Sequence, residues 1–97
     1  MAAYAIADVR IRDQSLVGKY RELSQNSIAK YGGKYVVRGG QAQTIEGKWT
    51  PQIFVIVEFP NMEQVREWYG SPEYAEALKV RAEAMDRELI FIEGVVP

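Results

Sequence analysis

Side chains of residues 3–11 fall into two alternating sets, one apolar and one mixed, and residues 34–38, 52–59 and 89–93 are short segments rich in apolar, β-branched and aromatic residues. A period of two residues is typical of β-strands, whose successive side chains point to opposite faces of a sheet. The pattern therefore predicts four strands.

Between these strands the apolar spacing changes to that of amphipathic helices. Asp13 is a suitable N-cap for the first helix, and Gly32 is suited to the left-handed position that ends it. Asn61 is the expected N-cap of a second, short helix. After an interruption at Gly70, Ser71 followed by proline is expected to restart the helix.

The predicted order is strand, helix, strand, strand, helix, strand. The favoured arrangement is an α+β fold of ferredoxin-like βαββαβ topology. In it, one antiparallel four-stranded sheet carries both helices on a single face. We expect one domain over residues 1–97, because a chain of this length is too short for two.

Glycine and proline divide the region between the second and third strands. Gly39 and Gly40 do not suit a regular strand interior and predict a β-bulge or bend there. Residues 43–46 are expected to continue the strand beyond it. Residues 47–51 then form a turn into the third strand.

Sorting strand positions by parity predicts two unlike faces of the sheet. One set is almost wholly apolar and is expected beneath the helices. Its members are Ala5, Ala7, Val9, Tyr35, Val37, Ile53, Val55, Val57, Phe59, Ile90 and Ile92. The other set mixes large apolar groups with ionisable ones. Its members are Tyr4, Ile6, Asp8, Arg10, Val36, Arg38, Phe54, Ile56, Glu58, Leu89, Phe91 and Glu93. An uncovered face of this kind predicts an interaction surface, here a two-fold homodimer.

Composition narrows the possible chemistry. The chain has no cysteine and no histidine, which excludes thiol nucleophiles, histidine bases and imidazole or thiolate metal sites. No metal or cofactor is therefore expected. The net charge of −1 has no basic stripe, so we expect no nucleic-acid partner. No apolar run is long enough for a membrane span and no signal-peptide pattern is present, so a cytoplasmic location is expected.

Several ordered motifs resemble a known family. They are Gly32-Gly33-Lys34-Tyr35, Arg38-Gly39-Gly40, Glu46-Gly47-Lys48-Trp49-Thr50-Pro51, Val57-Glu58-Phe59-Pro60, Trp68-Tyr69-Gly70-Ser71-Pro72-Glu73-Tyr74 and Glu93-Gly94. The sequence resembles the family known as domain of unknown function 1330. The resemblance implies the dimeric α+β barrel fold, which muconolactone isomerases, antibiotic-biosynthesis monooxygenases and haem-dependent chlorite dismutases share. It implies no reaction, and the missing histidine separates the chain from the haem-binding relatives.

Arg38 and Glu58 share a parity on strands expected to be neighbours. They are candidates for an arginine clamp on a carboxylate ligand, with the acid orienting it or acting as a base. The alternative is a cross-strand ion pair at the dimer seam.

Five further residues are candidates for ligand contacts. Trp68, Tyr69 and Tyr74 surround the break between the helical segments and could form aromatic walls around a ligand, although core packing is the alternative. Asp8 belongs to the mixed set and is a candidate for a carboxylate with a raised pKa. Glu46 is either a pocket residue or a charge at the hairpin end.

Three functions are compatible with these features. The first is a homodimer that binds a small carboxylate-bearing or aromatic metabolite. The second is a cofactor-independent isomerase or monooxygenase-like enzyme, in which Glu58 or Asp8 takes a proton and Arg38 stabilises the resulting anion. The third is a structural dimerisation module.

Overall fold

The structure, a computed structural model, describes residues 1–96. The strands are β1 (Ala3–Ile11), β2 (Lys34–Arg38), β3 (Ile53–Phe59) and β4 (Met85–Glu93). A 3-10 turn at Gln14–Leu16 leads into α1 (Val17–Lys30), and α2 (Met62–Tyr69) and α3 (Pro72–Ala84) follow β3. No helix of this described part is long and apolar enough to cross a membrane.

The four strands form one antiparallel sheet in the order β2-β3-β1-β4. This order, with the helices between β1 and β2 and between β3 and β4, is the ferredoxin-like α+β arrangement, so the predicted fold is confirmed. Each pair of strands that a helix connects is separated in the sheet by another strand. The helices consequently pack on one face and leave the other face uncovered.

Two of the three predicted N-caps are confirmed. Asp13 instead accepts a hydrogen bond from the Ser15 amide and caps the 3-10 turn, whereas α1 begins after Leu16 without a side-chain cap. Asn61 accepts a hydrogen bond from the Gln64 amide at the start of α2. Ser71 does the same for Tyr74 at the start of α3. Gly32, with φ of +81°, occupies the left-handed position that follows α1.

The β-bulge lies earlier than predicted. The register slips between Tyr35 and Val37, which makes Val36 the extra residue. The slip reverses the alternation, so Arg38 shares a face with Tyr35 instead of lying opposite it. Gly39 has φ of +72° and begins an irregular connection over residues 39–52. The predicted strand over residues 43–46 is therefore wrong.

β4 also differs from its predicted orientation. It begins at Met85, directly after α3, and its pairing places Leu89 opposite Ala7 and Phe91 opposite Ala5. Leu89 and Phe91 thus lie beneath the helices, whereas the prediction placed them on the uncovered face. The sequence pattern predicted the wrong face for these residues because odd and even positions between 89 and 92 are equally apolar.

The two faces of the sheet carry different sets of residues. The helix face comprises Ala3, Ala5, Ala7, Val9, Ile11, Tyr35, Arg38, Ile53, Val55, Val57, Phe59, Met85, Arg87, Leu89 and Phe91. The open face comprises Tyr4, Ile6, Asp8, Arg10, Lys34, Val37, Phe54, Ile56, Glu58, Asp86, Glu88, Ile90 and Ile92.

The main core lies between the helix face and one end of the helices. Phe59, Val65, Trp68 and Tyr74 are almost fully buried in it. The ring of Trp68 lies 4.2 Å from that of Tyr74 and 5.3 Å from that of Phe59, measured between centroids. Toward the other end, β1 presents Ala7 and Val9 to the helices, and space remains between sheet and helices.

Candidate binding cavity

A cavity lies between α1 and the helix face of the sheet. The space between them amounts to about 760 Å³, including the part that opens to solvent. Its floor is formed by Ala5, Ala7 and Val9 of β1 with Val55 and Val57 of β3. The two alanines create the space, because their side chains end at Cβ where larger residues would reach the helix.

A polar cluster stands at the β4 side of this cavity. Arg87 donates hydrogen bonds from Nη1 to the Tyr20 hydroxyl at 2.9 Å and from Nη2 to the Tyr74 hydroxyl at 2.8 Å. The two hydroxyls are 2.6 Å apart and also bond to each other. Arg87, Tyr20 and Tyr74 come from β4, α1 and α3, so the cluster joins three elements.

Counting protons in this cluster identifies an available donor. Two hydroxyls that share one hydrogen bond use one of their two protons. Tyr74 is fully buried and does not line the cavity, whereas Tyr20 does. The arrangement that suits both is donation from Tyr74 to Tyr20, which leaves the Tyr20 proton directed to the cavity. The remaining N–H groups of Arg87 can donate there as well.

The pKa of the Tyr74 hydroxyl is compatible with donation to Tyr20. Burial, together with the neighbouring Tyr20, raises the pKa of the Tyr74 hydroxyl well above its ordinary value of 10.0. Tyr74 therefore stays a neutral phenol near neutral pH and can donate its proton to Tyr20.

A second cationic group lies at the mouth of the cavity, on the β2 side. Arg38 donates from Nη2 to the side-chain oxygen of Gln25 at 2.9 Å, and its guanidinium carbon lies 4.4 Å from the centre of the Tyr35 ring. Arg21 also lines the cavity. It precedes Gln25 by four residues on α1, so both side chains project from the same side of the helix.

The residues that line the cavity include three arginines and no carboxylate. None of the ion pairs formed within residues 1–96 involves Arg21, Arg38 or Arg87. The same part of the chain has no group of three or more side chains suited to holding a metal ion. The chemistry that the cavity offers is therefore hydrogen bonding and positive charge in apolar surroundings.

The predicted pairing of Arg38 with Glu58 is wrong, because the bulge at Val36 turns Arg38 to the helix face. Glu58 lies on the open face, where it contacts the Tyr4 hydroxyl at 3.0 Å and the Lys34 ammonium at 3.2 Å. Hydrogen bonds from Lys34 and Tyr4 lower the pKa of the Glu58 carboxyl. Glu58 is thus an ionised member of a surface pair.

Asp8 is buried on the open face. Its carboxylate accepts hydrogen bonds from the Trp49 indole at 3.0 Å and from the Gln52 amide at 2.9 Å. These two bonds lower the pKa of the Asp8 carboxyl, so the expectation of a raised pKa is wrong. Through these two bonds, Asp8 holds the end of the connection between β2 and β3 against the sheet. Glu46 is exposed in that connection, away from the cavity lining.

The three aromatic candidates have different surroundings. Trp68 is buried, donates from its indole nitrogen to the Ser27 hydroxyl at 3.0 Å and lines the cavity at its inner end. Tyr74 belongs to the core and to the polar cluster. Tyr69 is 39% exposed, and its ring centroid lies 5.8 Å from that of Phe91. Core packing thus describes Trp68 and Tyr74, and Tyr69 stands outside the cavity.

Sequence reasoning missed Arg87 and Tyr20 as polar members of the site. The helical spacing groups Tyr20 with the apolar residues of α1, and Arg87 lies before the predicted last strand at residues 89–93. A signal was present in β1, since Ala5 and Ala7 alternate on the face beneath the helices and small residues there predict space.

The geometry defines a ferredoxin-like α+β protein with a cationic cavity between helix and sheet. The chain belongs to the family described as domain of unknown function DUF1330, whose sequence pattern matches residues 2–95. The resemblance that the sequence motifs indicated is thereby confirmed. No curated protein matches the chain significantly.

Solved structures of the same fold include proteins of unknown function and an enzyme. A protein of unknown function from Rhodopseudomonas palustris is 24% identical with a TM-score of 0.80, the match covering 99% of this chain and 84% of the other. A dimeric protein of unknown function and ferredoxin-like fold from Bacteroides fragilis is 19% identical with a TM-score of 0.64, covering 96% of each chain. SnoaB, a cofactor-independent oxygenase from Streptomyces nogalater, is 7% identical with a TM-score of 0.68, covering 99% and 95%. At these identities the similarity shows the fold alone.

Proposed function

We propose that this protein is a homodimer that binds a small organic anion, with an apolar or aromatic body, in the cavity of each subunit. Arg87 and Tyr20 hold the acidic group. Ala5, Ala7 and the valines of β3 contact the body of the ligand. The ligand class is the one predicted from the sequence, but the proposed site lies on the helix face instead of the open face.

One observation carries this proposal, namely that Arg87 is a partly buried cation with no carboxylate partner within residues 1–96. Its two observed acceptors are neutral phenols. Removing a charge from water without a counter-charge is costly, and buried charges in proteins are normally paired. A bound carboxylate would supply the missing charge and would accept from both Arg87 and Tyr20.

The dimer is supported by the open face and by the solved relatives. Ile90 and Ile92 are 55% and 48% exposed in the single subunit, and they extend an apolar surface over the central strand. A surface of this kind is buried when two copies pair face to face. The relative from Bacteroides fragilis is dimeric. Pairing through the open face would leave the cavity accessible, because the cavity lies on the opposite side of the sheet.

Binding of matched ligands to Arg87→Met tests the proposal. Benzoate and phenylacetate are titrated calorimetrically, with neutral benzamide as the uncharged analogue. We expect the carboxylates to bind wild type and the variant to bind them about 100-fold more weakly, as for the loss of one partner from a desolvated charged contact. Tyr20 and Tyr74 can keep their mutual hydrogen bond in the variant, so its fold should persist and circular dichroism will check it.

Arg66→Met is the matched control, since Arg66 lies on the exposed side of α2 and does not line the cavity. It should bind like wild type. Equal binding of benzamide and benzoate, or equal binding by wild type and Arg87→Met, would overturn the anion site. Absence of binding by every aromatic and aliphatic carboxylate would overturn the proposal as a whole.

A second candidate function is catalysis without a cofactor, as in the oxygenase from Streptomyces nogalater that shares the fold. The observation that favours it is the cluster of Tyr20, Tyr74 and Arg87, which could stabilise an oxyanion that forms on a substrate. Asp8 and Glu58 are not its bases, because both lie on the open face. Oxygen consumption with acidic phenolic substrates, lost in Tyr20→Phe, distinguishes this activity from binding alone.

A further inference from the structure

We propose that the ligand of this cavity carries two acidic groups, one at each end of its apolar body. This inference rests on the proposed anion site at Arg87 and adds a second site, at Arg38, for the other acid. The ligand class is therefore a dicarboxylate or a comparable dianion.

The strand register places the two arginines on opposite edges of the cavity floor. Arg38 pairs with Val55, Val55 with Ala7, and Ala7 with Leu89, so one row of side chains crosses the whole sheet. Arg87 pairs with Val9, two residues along β1 from that row. Arg38 thus lies on edge strand β2 and Arg87 on edge strand β4.

The distance between these edges suits a small elongated molecule. Three strand-to-strand steps separate β2 from β4, which corresponds to roughly 14 Å between backbones. Both side chains project over the same face and line the same cavity. Their guanidinium groups can approach to less than the backbone separation, because both arginine side chains are long.

The floor between the arginines is apolar. Ile53, Val55, Ala7 and Val9 fill the two rows that join Arg38 to Arg87. A ligand that lies along these rows meets charge only at its ends. Acidic groups at both ends and an uncharged middle are the complement of this pattern.

The Arg38 guanidinium can donate hydrogen bonds to such a second acid. Its observed contacts are the neutral Gln25 oxygen and the face of the Tyr35 ring. These contacts hold the guanidinium in place without neutralising it. Arg21 adds a further positive charge to the lining of the same cavity. Two neighbouring cations without an acid attract an anion.

Diacids and their monomethyl esters test the inference, because the pair differs in one charge and hardly in length. Suberate, terephthalate and their monomethyl esters are titrated into wild type, Arg38→Gln and Arg87→Met. We expect at least one diacid to bind wild type about tenfold more tightly than its ester. Arg38→Gln should remove this preference and leave ester binding unchanged, whereas Arg87→Met should weaken both.

The outcomes separate this inference from the proposed function. The second site at Arg38 is wrong if diacid and ester bind equally or if Arg38→Gln keeps a diacid preference. In either case, the first site at Arg87 stands as long as Arg87→Met weakens binding. If neither compound binds wild type, the proposed function itself fails. Arg10→Gln is the control for net charge, since Arg10 lies on the open face, and it should retain the preference.

Discussion

The two faces of the sheet differ in how their charges are balanced. On the open face, Glu58 pairs with Lys34, and Glu88 pairs with Arg10. Asp8 is ionised as well, and its oxygens accept from an indole and an amide. On the helix face, the hydrogen bonds that Arg38 and Arg87 donate within residues 1–96 go to neutral groups.

This difference indicates which face has capacity for a ligand. The acids of the open face already have donors, and they stand among apolar groups that suit a second subunit. The cations of the helix face still have donors to offer, and they stand around an open space. We therefore propose that the carboxylates that first suggested catalysis are structural, and that Arg38 and Arg87 are the binding groups.

The largest effect is expected at the open face. Ile90→Arg places a charge in the centre of the proposed dimer contact, where Ile90 pairs with Ile6 of the central strand. We expect dimer dissociation to become at least 100-fold easier, since a buried interface charge without a partner costs about 3 kcal/mol. Analytical ultracentrifugation across a concentration series measures the change.

Ala75→Arg adds the same charge on the exposed side of α3 and serves as the control. It should leave the dimer intact. If Ile90→Arg dimerises like wild type, the open face is not the contact. If Ile90→Arg is unfolded, Ile92→Lys at the edge of the same surface provides the milder version of the test.

A tenfold effect is expected from moving one charge across the sheet. Exchanging Val37→Arg and Arg38→Val keeps the composition of β2 and transfers its cation from the helix face to the open face. The diacid preference should fall about tenfold, equivalent to about 1.4 kcal/mol, while binding at Arg87 persists. Calorimetry with suberate and its monomethyl ester checks both parts, and a retained preference would contradict the orientation of Arg38.

The smallest effect is expected on stability at low pH, through two carboxylates of the open face. The pKa values of the Asp8 and Glu58 carboxyls are lowered in the folded protein, so the unfolded chain binds more protons as the pH falls. Their stabilisation is complete above their ordinary values of 3.8 and 4.5, and it is lost as the pH falls through the lower folded values. Thermal unfolding between pH 7 and pH 2 should show a stability gap between wild type and Asp8→Asn that closes in acid.

Glu46→Gln is the control, because Glu46 is exposed and takes part in no side-chain hydrogen bond or ion pair of residues 1–96. Its unfolding curve should follow wild type throughout. A gap for Asp8→Asn that widens in acid would mean that the carboxylate is not stabilised by Trp49 and Gln52.

Much of the fold followed from local features of the sequence. Asn61 and Ser71 cap α2 and α3 as predicted, and Asp13 caps the 3-10 turn that leads into α1, because capping involves neighbours within three residues. The order of elements then left few topologies to consider. Both levels depend on short-range chemistry that can be read directly along the chain.

The cavity could not be predicted because it depends on the phase of two edge strands. A single extra residue at Val36 reverses the direction of Arg38, and bulges have no strict sequence signature. In β4, apolar residues at both parities gave no preference between Leu89 and Ile90. Edge strands are paired on one side only, so their sequence constrains their register less than in the central strands.

The direct junction between α3 and β4 has a consequence for recognising related sites. Tyr74 and Arg87 lie thirteen residues apart on one segment that has no loop, so helix and strand geometry alone bring their side chains together. A single insertion at the junction would rotate Arg87 to the other side of the sheet. If the proposed anion site is correct, the spacing of a tyrosine and an arginine by thirteen positions is a sequence signature that sorts homologues that keep the site from those that have lost it.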